Sequence, residues 1–327
     1  MKTKSLLWTS LFILSVATAC DAPSASDEDL GDDDVTPRCT SCGGLKLNTS
    51  MLGNFEFSEL DTTGAWWNGV KLNSVTSQEL GVVDQVFVKS GALYARKSGK
   101  TWPDKYLLNS IWKVTIDEGN NQFIQVSMQL KGIGYDNGNR IYTFTNNAPG
   151  EEWGKEGGYN CDDDPSEPGD QFGAILSADL VIDPDTAVVK NEPNKIFFGC
   201  LSGGVGKAAK WGYPSYKHTN IEFETAIRVV RADYCGNGFS FTKPGMALQL
   251  TDIFGVSSFG NQGSKDEAFW DDSGAFCVGE PRFSAQWGDA SNIQHECELM
   301  GAVPPKKCEE GMALDNVPNG MYWSKLP

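Results

Sequence analysis

Gln122-Phe123-Ile124-Gln125-Val126-Ser127-Met128-Gln129-Leu130 alternates apolar and polar side chains. Successive side chains of a strand point to opposite faces, so a period of two marks a half-buried β-strand. On either side, Gly81 to Lys89, Leu107 to Ile116, Arg140 to Phe144 and Gly173 to Ile182 are rich in β-branched and aromatic residues. Turn formers separate these runs: Asp117 to Asn121, Asp136 to Asn139 and Asp183 to Asp185. Strands joined by such short punctuation pair antiparallel. Residues 45–190 are therefore expected to be a β-rich N-terminal part. Gly150 to Gly169, dense in acids, prolines and glycines, reads as a long loop.

One helix stands out, near 220–235. Thr219 followed by Glu222 fits a capping box, and Phe223, Ala226, Ile227, Val230 and Tyr234 fall on one helical stripe. Gly236, or the pair Asn237-Gly238, offers the left-handed stop. Arg228 and Arg231 lie in the second half, where cations complement the helix dipole. Met246 to Asp252 and Phe269 to Val278 read as further strands, and residues 284–327 as an irregular extension. The expected class is α+β and β-rich: antiparallel sheets, one main helix and disulfide staples.

The chain of 327 residues carries 27 basic and 43 acidic side chains, a formal charge of -16. Without a stripe of Lys and Arg to neutralise phosphates, no nucleic-acid partner is expected. Lys2 and Lys4 precede a short apolar run from Leu6 to Leu14, which ends in Ala17-Thr18-Ala19-Cys20. This is the layout of a secretory signal peptide over 1–19, with a run shorter than the ~20 residues of a spanning helix. Cys20 directly after Ala-Thr-Ala resembles a lipobox, so Cys20 is expected to be lipidated and to anchor the protein to a membrane. Asp21 to Asp34 holds seven acids and no base, which makes residues 20–44 a self-repelling acidic stalk.

Eight cysteines remain: Cys39, Cys42, Cys161, Cys200, Cys235, Cys277, Cys297 and Cys308. An even number in an exported chain implies disulfides, although sequence alone does not set their pairing. Cys39-Thr40-Ser41-Cys42 has the spacing of a redox or zinc half-site. It lacks the strand and helix of the first and the second ligand pair of the second, so a structural disulfide is expected.

Arg231-Ala232-Asp233-Tyr234-Cys235-Gly236-Asn237-Gly238 resembles the signature of the ADYC domain, a family of exported and lipid-anchored bacterial proteins. Phe197 to Cys200, the glycine-rich Gly203 to Lys207, Trp211 to Pro214 and His218 are similar to stretches upstream of that signature. Trp270 and Gly274 to Val278 are similar to one downstream. Asn68 to Asn73 resembles a stretch near the start of such proteins. The resemblance covers about Gly64 to Phe283, with an ADYC-like domain expected over 191–283. The family usually has cysteines where this chain has Ala208 and Ala226. If those two pair with each other elsewhere, the alanines should lie close together here. The family name describes a motif, not an activity.

Chemistry is sparse. The only histidines are His218 and His295, and His218 precedes the helix that Cys235 follows, so a Cys-His dyad is not expected. No zincin or EF-hand pattern exists, and neither a metal nor a cofactor is expected. Asp162 to Asp164 with Glu167 read as a solvated loop. Ser202 to Lys207 lacks the first glycine and the final hydroxyl of a phosphate loop. The expected function is that of a non-enzymatic lipid-anchored envelope protein, at the outer membrane or cell surface, with a structural or binding role. Two alternatives stand beside it. One is an envelope hydrolase using Asp233 or Cys235. The other is a carbohydrate-binding module presenting Trp66, Trp67, Trp102 or Trp153 to envelope polysaccharide.

Overall fold

A computed structural model describes residues 44–148, 158–164, 172–258 and 265–327. The leader, the stalk up to residue 43, Cys20, Cys39, Cys42, Trp153 and Glu167 lie outside them. Met51–Leu52 (β1) and Phe55–Glu56 (β2) pair as a small hairpin. Glu59–Asp61 (β3), Trp66–Trp67 (β4), Val70–Ser77 (β5) and Gly81–Val82 (β6) begin the main sheet. Gln85–Lys89 (β7), Ala92–Lys97 (β8) and Lys100–Pro103 (β9) form a separate antiparallel meander. Ile111–Gly119 (β10), Gln122–Asp136 (β11), Asn139–Asn146 (β12), Gly173–Ile182 (β13) and Val189–Cys200 (β14) complete the main sheet. Its spatial order is β3-β14-β13-β12-β11-β10-β5-β4, with β6 on β5, and every pair is antiparallel. β3 at one edge also touches β4 and β5 at the other, so the sheet curls towards closure.

The alternation in β11 does what its period requires: Val126, Met128 and Leu130 are buried, with Trp112, Val114 and Ile116 of β10 beside them. Asn120-Asn121, with φ of 51° and 61°, joins β10 to β11, and Asn137-Gly138, with φ of 47° and 76°, joins β11 to β12. Two-residue loops with both φ positive are the hairpin turns that match strand twist, and Asn and Gly tolerate them best.

β13 and β14 are buried on both faces. Ala174, Leu176, Ile196, Phe198 and Cys200 enter the core inside the main sheet. Ile175 and Phe197 enter a second core with two helices, Gly204–Lys210 (α1) and Asn220–Arg231 (α2). The boundary expected at 190/191 therefore cuts through β14, a wall shared by both cores. Ala208 and Ala226 are both fully buried in the second core, where α1 packs against α2.

α2 begins as its capping box dictates: the Glu222 amide donates to Thr219 Oγ1 at 3.3 Å, and the Thr219 amide donates to Glu222 Oε2 at 2.8 Å. It ends earlier than expected. The left-handed residue that caps the helix is Ala232, with φ of 50°, four residues before Gly236. The Ala232 amide reaches Val229 O at 3.1 Å and the Asp233 amide reaches Arg228 O at 2.9 Å, a Schellman closure built on alanine. Tyr234 consequently lies beyond the helix, although it is buried.

Gln249–Asp252 (β15), Asp266–Asp271 (β16) and Gly274–Val278 (β17) follow, so the single strand expected over 269–278 is a hairpin. The C-terminal segment is not irregular. It holds Ser284–Trp287 (α3), Ala290–Leu299 (α4), Lys306–Lys307 (β18) and Tyr322–Lys325 (β19). In the second sheet, ordered β15-β19-β16-β17-β18, β19 lies between β15 and β16, with Tyr322 and Ser324 fully buried. Four residues are too short a run for the pattern to register in sequence.

Among the described residues the disulfides are Cys161–Cys200, Cys235–Cys297 and Cys277–Cys308. Cys235 and Cys297 are 62 residues apart, and opening that loop restores chain entropy worth about 4 kcal/mol to the unfolded state. Replacing both by serine should lower the unfolding free energy in urea by that order. An unchanged midpoint would refute the pairing.

Candidate functional site

The signature residues occupy the chain's exit from α2. Asp233 has no exposed surface, and its carboxylate accepts from the Asn237 amide at 3.1 Å and the Gly238 amide at 2.8 Å. Burial pushes this carboxyl up to about 6, against the pull of Arg228, Arg231 and those two amides. The turn demands glycine twice: a Cβ on Gly236 would lie 1.7 Å from Ser273 O, and one on Gly238 1.9 Å from Asp185 O. Arg231 Nε donates to Leu45 O at 3.1 Å. Cys235 is bonded to Cys297 of α4.

Tyr234 stacks on Trp270, and its hydroxyl donates to Glu267 Oε1 at 2.9 Å while accepting from the Arg282 amide at 2.8 Å. Burial and the neighbouring Glu267 push the phenol well above its ordinary value. The Arg282 guanidinium pairs with Glu267 at 2.9 and 3.1 Å and donates at 2.8 Å to both Val229 O and Val230 O. Both carbonyls belong to the last turn of α2, where a cation also meets the negative end of the dipole. Asp233, Tyr234 and Cys235 are thus bonded inside a packed core, and none of them opens onto a cleft. His218 Nε2 is 3.3 Å from Gly212 O, and Nδ1 is 3.5 Å from Glu222 Oε2, at the far end of α2 from Cys235.

A second polar cluster sits on β3. Glu59 and Asp61, two residues apart, are both buried. Lys195 Nζ lies 2.7 Å from Asp61 Oδ2 and 4.1 Å from the centre of the Trp67 ring. Burial pushes Asp61 up, but Lys195, Thr63 and the Ala65 amide outweigh it and hold the carboxyl below its usual range. Glu59 goes the other way: burial raises it to about 7, against a hydrogen bond from the Ile182 amide. Lys207, in the glycine-rich stretch, is paired with Asp164 at 2.7 Å as a buried ion pair. Among the described residues no group of three or more His, Cys, Asp or Glu is arranged to hold a metal.

Two exposed features among the described residues lie outside these clusters. Trp66 is 45% exposed and packs at 5.7 Å on Phe123, itself 55% exposed. The second is a groove beside β13 and β14, with cavities of about 320 and 140 Å³ that share Ala178 and Asp179. Sequence reasoning missed the groove because its walls come from β7, β8, β13, β14 and the loops after β3 and α1. It missed Glu267 and Arg282 because each is an ordinary charged residue until α2 ends beside it.

Unfolded, Glu59 ionises near 4.5; folded, near 7. Between those values the folded state keeps a proton that the unfolded state has lost, so raising the pH through this window weakens the fold. Glu59→Gln should flatten that slope in urea unfolding measured at pH 5 and pH 7.5. Arg282→Met should cost about 3–5 kcal/mol, because the buried Glu267 charge loses its counter-ion and the Val229 and Val230 carbonyls each lose a donor. Arg282→Lys should rescue little, since an ammonium cannot span all these acceptors.

Against known proteins, a family model of the ADYC domain matches residues 104–284, while no curated protein and no solved structure matches the chain. The match begins well before the expected start at 191 and takes in β10 to β14 as well as the signature turn. It spans more than half of the sequence, and the chain belongs to the ADYC domain family.

Proposed function

We propose that this is an exported protein, lipid-anchored through Cys20 in the bacterial cell envelope, with a non-enzymatic structural or binding role. The observation that carries the non-enzymatic half is the bonding of the signature itself. Asp233 accepts two turn amides, Tyr234 bridges Glu267 and Arg282, and Cys235 is disulfide-bonded, so all three are engaged in holding the fold. The exported half is supported by the leader at 1–19 and by three disulfides, which persist in oxidising compartments. The acidic stalk would hold the folded part away from the membrane, repelled by anionic lipid. Partners are then the membrane, through the lipid, and an envelope polysaccharide or protein.

The carbohydrate-binding reading has its own support in the exposed Trp66 and Phe123. They stand on the open face of β4 and β11 beside Lys71, whose ammonium is 5.9 Å from the Trp66 ring. An aromatic face of this kind suits the C–H face of a sugar ring.

Expressed with its leader in a bacterium, the protein should fractionate with membranes and carry a diacylglyceryl mass on Cys20. Cys20→Ala should release it in soluble form. Under denaturing, non-reducing conditions Cys235 should resist alkylation. Soluble wild-type protein would overturn the tether, and an alkylatable Cys235 would restore the enzyme reading.

A further inference from the structure

The charge of the chain is not spread evenly. Residues 85–105, the meander of β7, β8 and β9 and the turn that follows it, hold five bases: Lys89, Arg96, Lys97, Lys100 and Lys105. Their one acid, Asp104, is buried and paired with Arg140. A chain with 43 acids and 27 bases thus carries a local reversal of sign. The strand register sharpens it. Lys97 on β8 lies directly across from Lys100 on β9, with Arg96 opposite Thr101 in the next pair. Like charges opposed in this way destabilise a sheet. The two-residue turn Ser98-Gly99, with φ of 49° and 74°, locks that register in place.

Among the described residues none of the five pairs with an acid. Neutral groups hold three of them instead. The Arg96 guanidinium is 5.5 Å from the centre of the Phe87 ring and donates to Gln85 Oε1 at 3.2 Å. Lys97 Nζ donates to Val82 O, and Lys105 Nζ is 5.1 Å from the centre of the Tyr106 ring. Asp84 stands at the same tip, where its Oδ2 accepts from the Ser98 amide at 2.7 Å, but it forms no ion pair with Lys97 or Lys100. These cations are positioned without being neutralised, and Lys89, Arg96, Lys100 and Lys105 are exposed. Guarding the sheet edges against stray pairing would ask for charge on β7 and β9 only, yet Arg96 and Lys97 lie on β8, the central strand.

A partner of opposite charge would relieve this repulsion. A flat anionic lipid surface is a poor match: no large apolar side chain of residues 85–105 is exposed for insertion, and acids elsewhere on the chain would meet the same surface. A flexible polyanion avoids both problems, because a single thread touches only the strip it follows. Four of the five cations are ammonium point charges, which suit charges repeated along a polymer better than planar, bidentate recognition of one group. We propose that the β7–β9 meander binds a carboxylate-bearing polysaccharide, whose chain passes over Lys97 and Lys100. The inference rests on the exported, binding role proposed above, which makes the polyanion a polysaccharide rather than a nucleic acid, and it gives that role a surface and a partner.

The full-length chain carrying Cys20→Ala, which removes the lipid as a route to vesicles, would be titrated with polygalacturonate, neutral dextran, duplex DNA and phosphatidylglycerol vesicles. Polygalacturonate should bind at about 50 mM salt and lose more than about tenfold in affinity at about 500 mM, where screening is stronger. Dextran should not bind. Lys97→Gln combined with Lys100→Gln should weaken polygalacturonate binding about tenfold and flatten its salt dependence. The same double change should leave the urea midpoint unchanged or raise it, because it removes an opposed like-charge pair, so a folding defect cannot pass as the loss. Lys306→Gln combined with Lys307→Gln, at the exposed basic pair of β18, should bind as the unchanged chain does. The proposal is overturned if polygalacturonate does not bind, if dextran binds equally well, or if the Lys97 and Lys100 variant binds as tightly as the unchanged chain. Tighter binding to vesicles or to DNA than to polygalacturonate would overturn it in favour of that partner. Membrane fractionation and thiol blocking do not depend on these outcomes, so the tethered envelope reading stands or falls separately.

Discussion

Arg282 holds four partners at once: both oxygens of Glu267 and the carbonyl oxygens of Val229 and Val230. A guanidinium has the planar fork of donors that this requires, and its charge meets the negative end of α2. Fully buried, such an arrangement is stable only when every lone pair is answered, and Tyr234 completes it by donating to Glu267. One side chain thus ties the end of α2 to β16, which carries Glu267, and to the turn that carries the family signature. Asp233 then closes the turn from the other side, and Cys235 fastens it to α4. The Asp-Tyr-Cys run is a helix stop with three anchors.

The β13–β14 hairpin is the second constraint. Its two faces serve two cores, so the main sheet and the helical layer cannot be separated without exposing one of them. The Cys161–Cys200 disulfide joins the end of this hairpin to the segment after β12. The same hairpin, bulged at Ala178, also forms the floor of the groove. The element that joins the two cores therefore also shapes the concave surface.

Much of the sheet was legible because it depends on local rules. Asn120-Asn121 and Asn137-Gly138 are turns by composition alone, and β13 has the expected limits of Gly173 and Ile182. The start of α2 was equally plain, since a capping box is a contact between residues three apart. The end of α2 was not, because Ala232 is forced into a left-handed conformation by what Asp233 and Tyr234 must reach. The candidate site was legible only in part. The signature residues stood out, but their partners Glu267 and Arg282 lie more than thirty residues downstream and carry no pattern. Trp66 was singled out and is exposed, whereas Trp112 and Trp270 are fully buried, a distinction that composition does not make.

The sequence by itself determined the β-rich class, the hairpin turns, the capped start of the main helix, the presence of disulfides and the family. All of these rest on period, turn chemistry or a contiguous motif, which are properties of neighbours along the chain. The tertiary structure alone decided which cysteines pair, that the C-terminal segment supplies a central strand, and that β14 is a shared wall rather than a boundary. It alone decided that the signature is buried and that residues of β7, β8, β13 and β14 meet at one groove. Each of these depends on residues distant in sequence meeting in space, and no local pattern encodes such meetings.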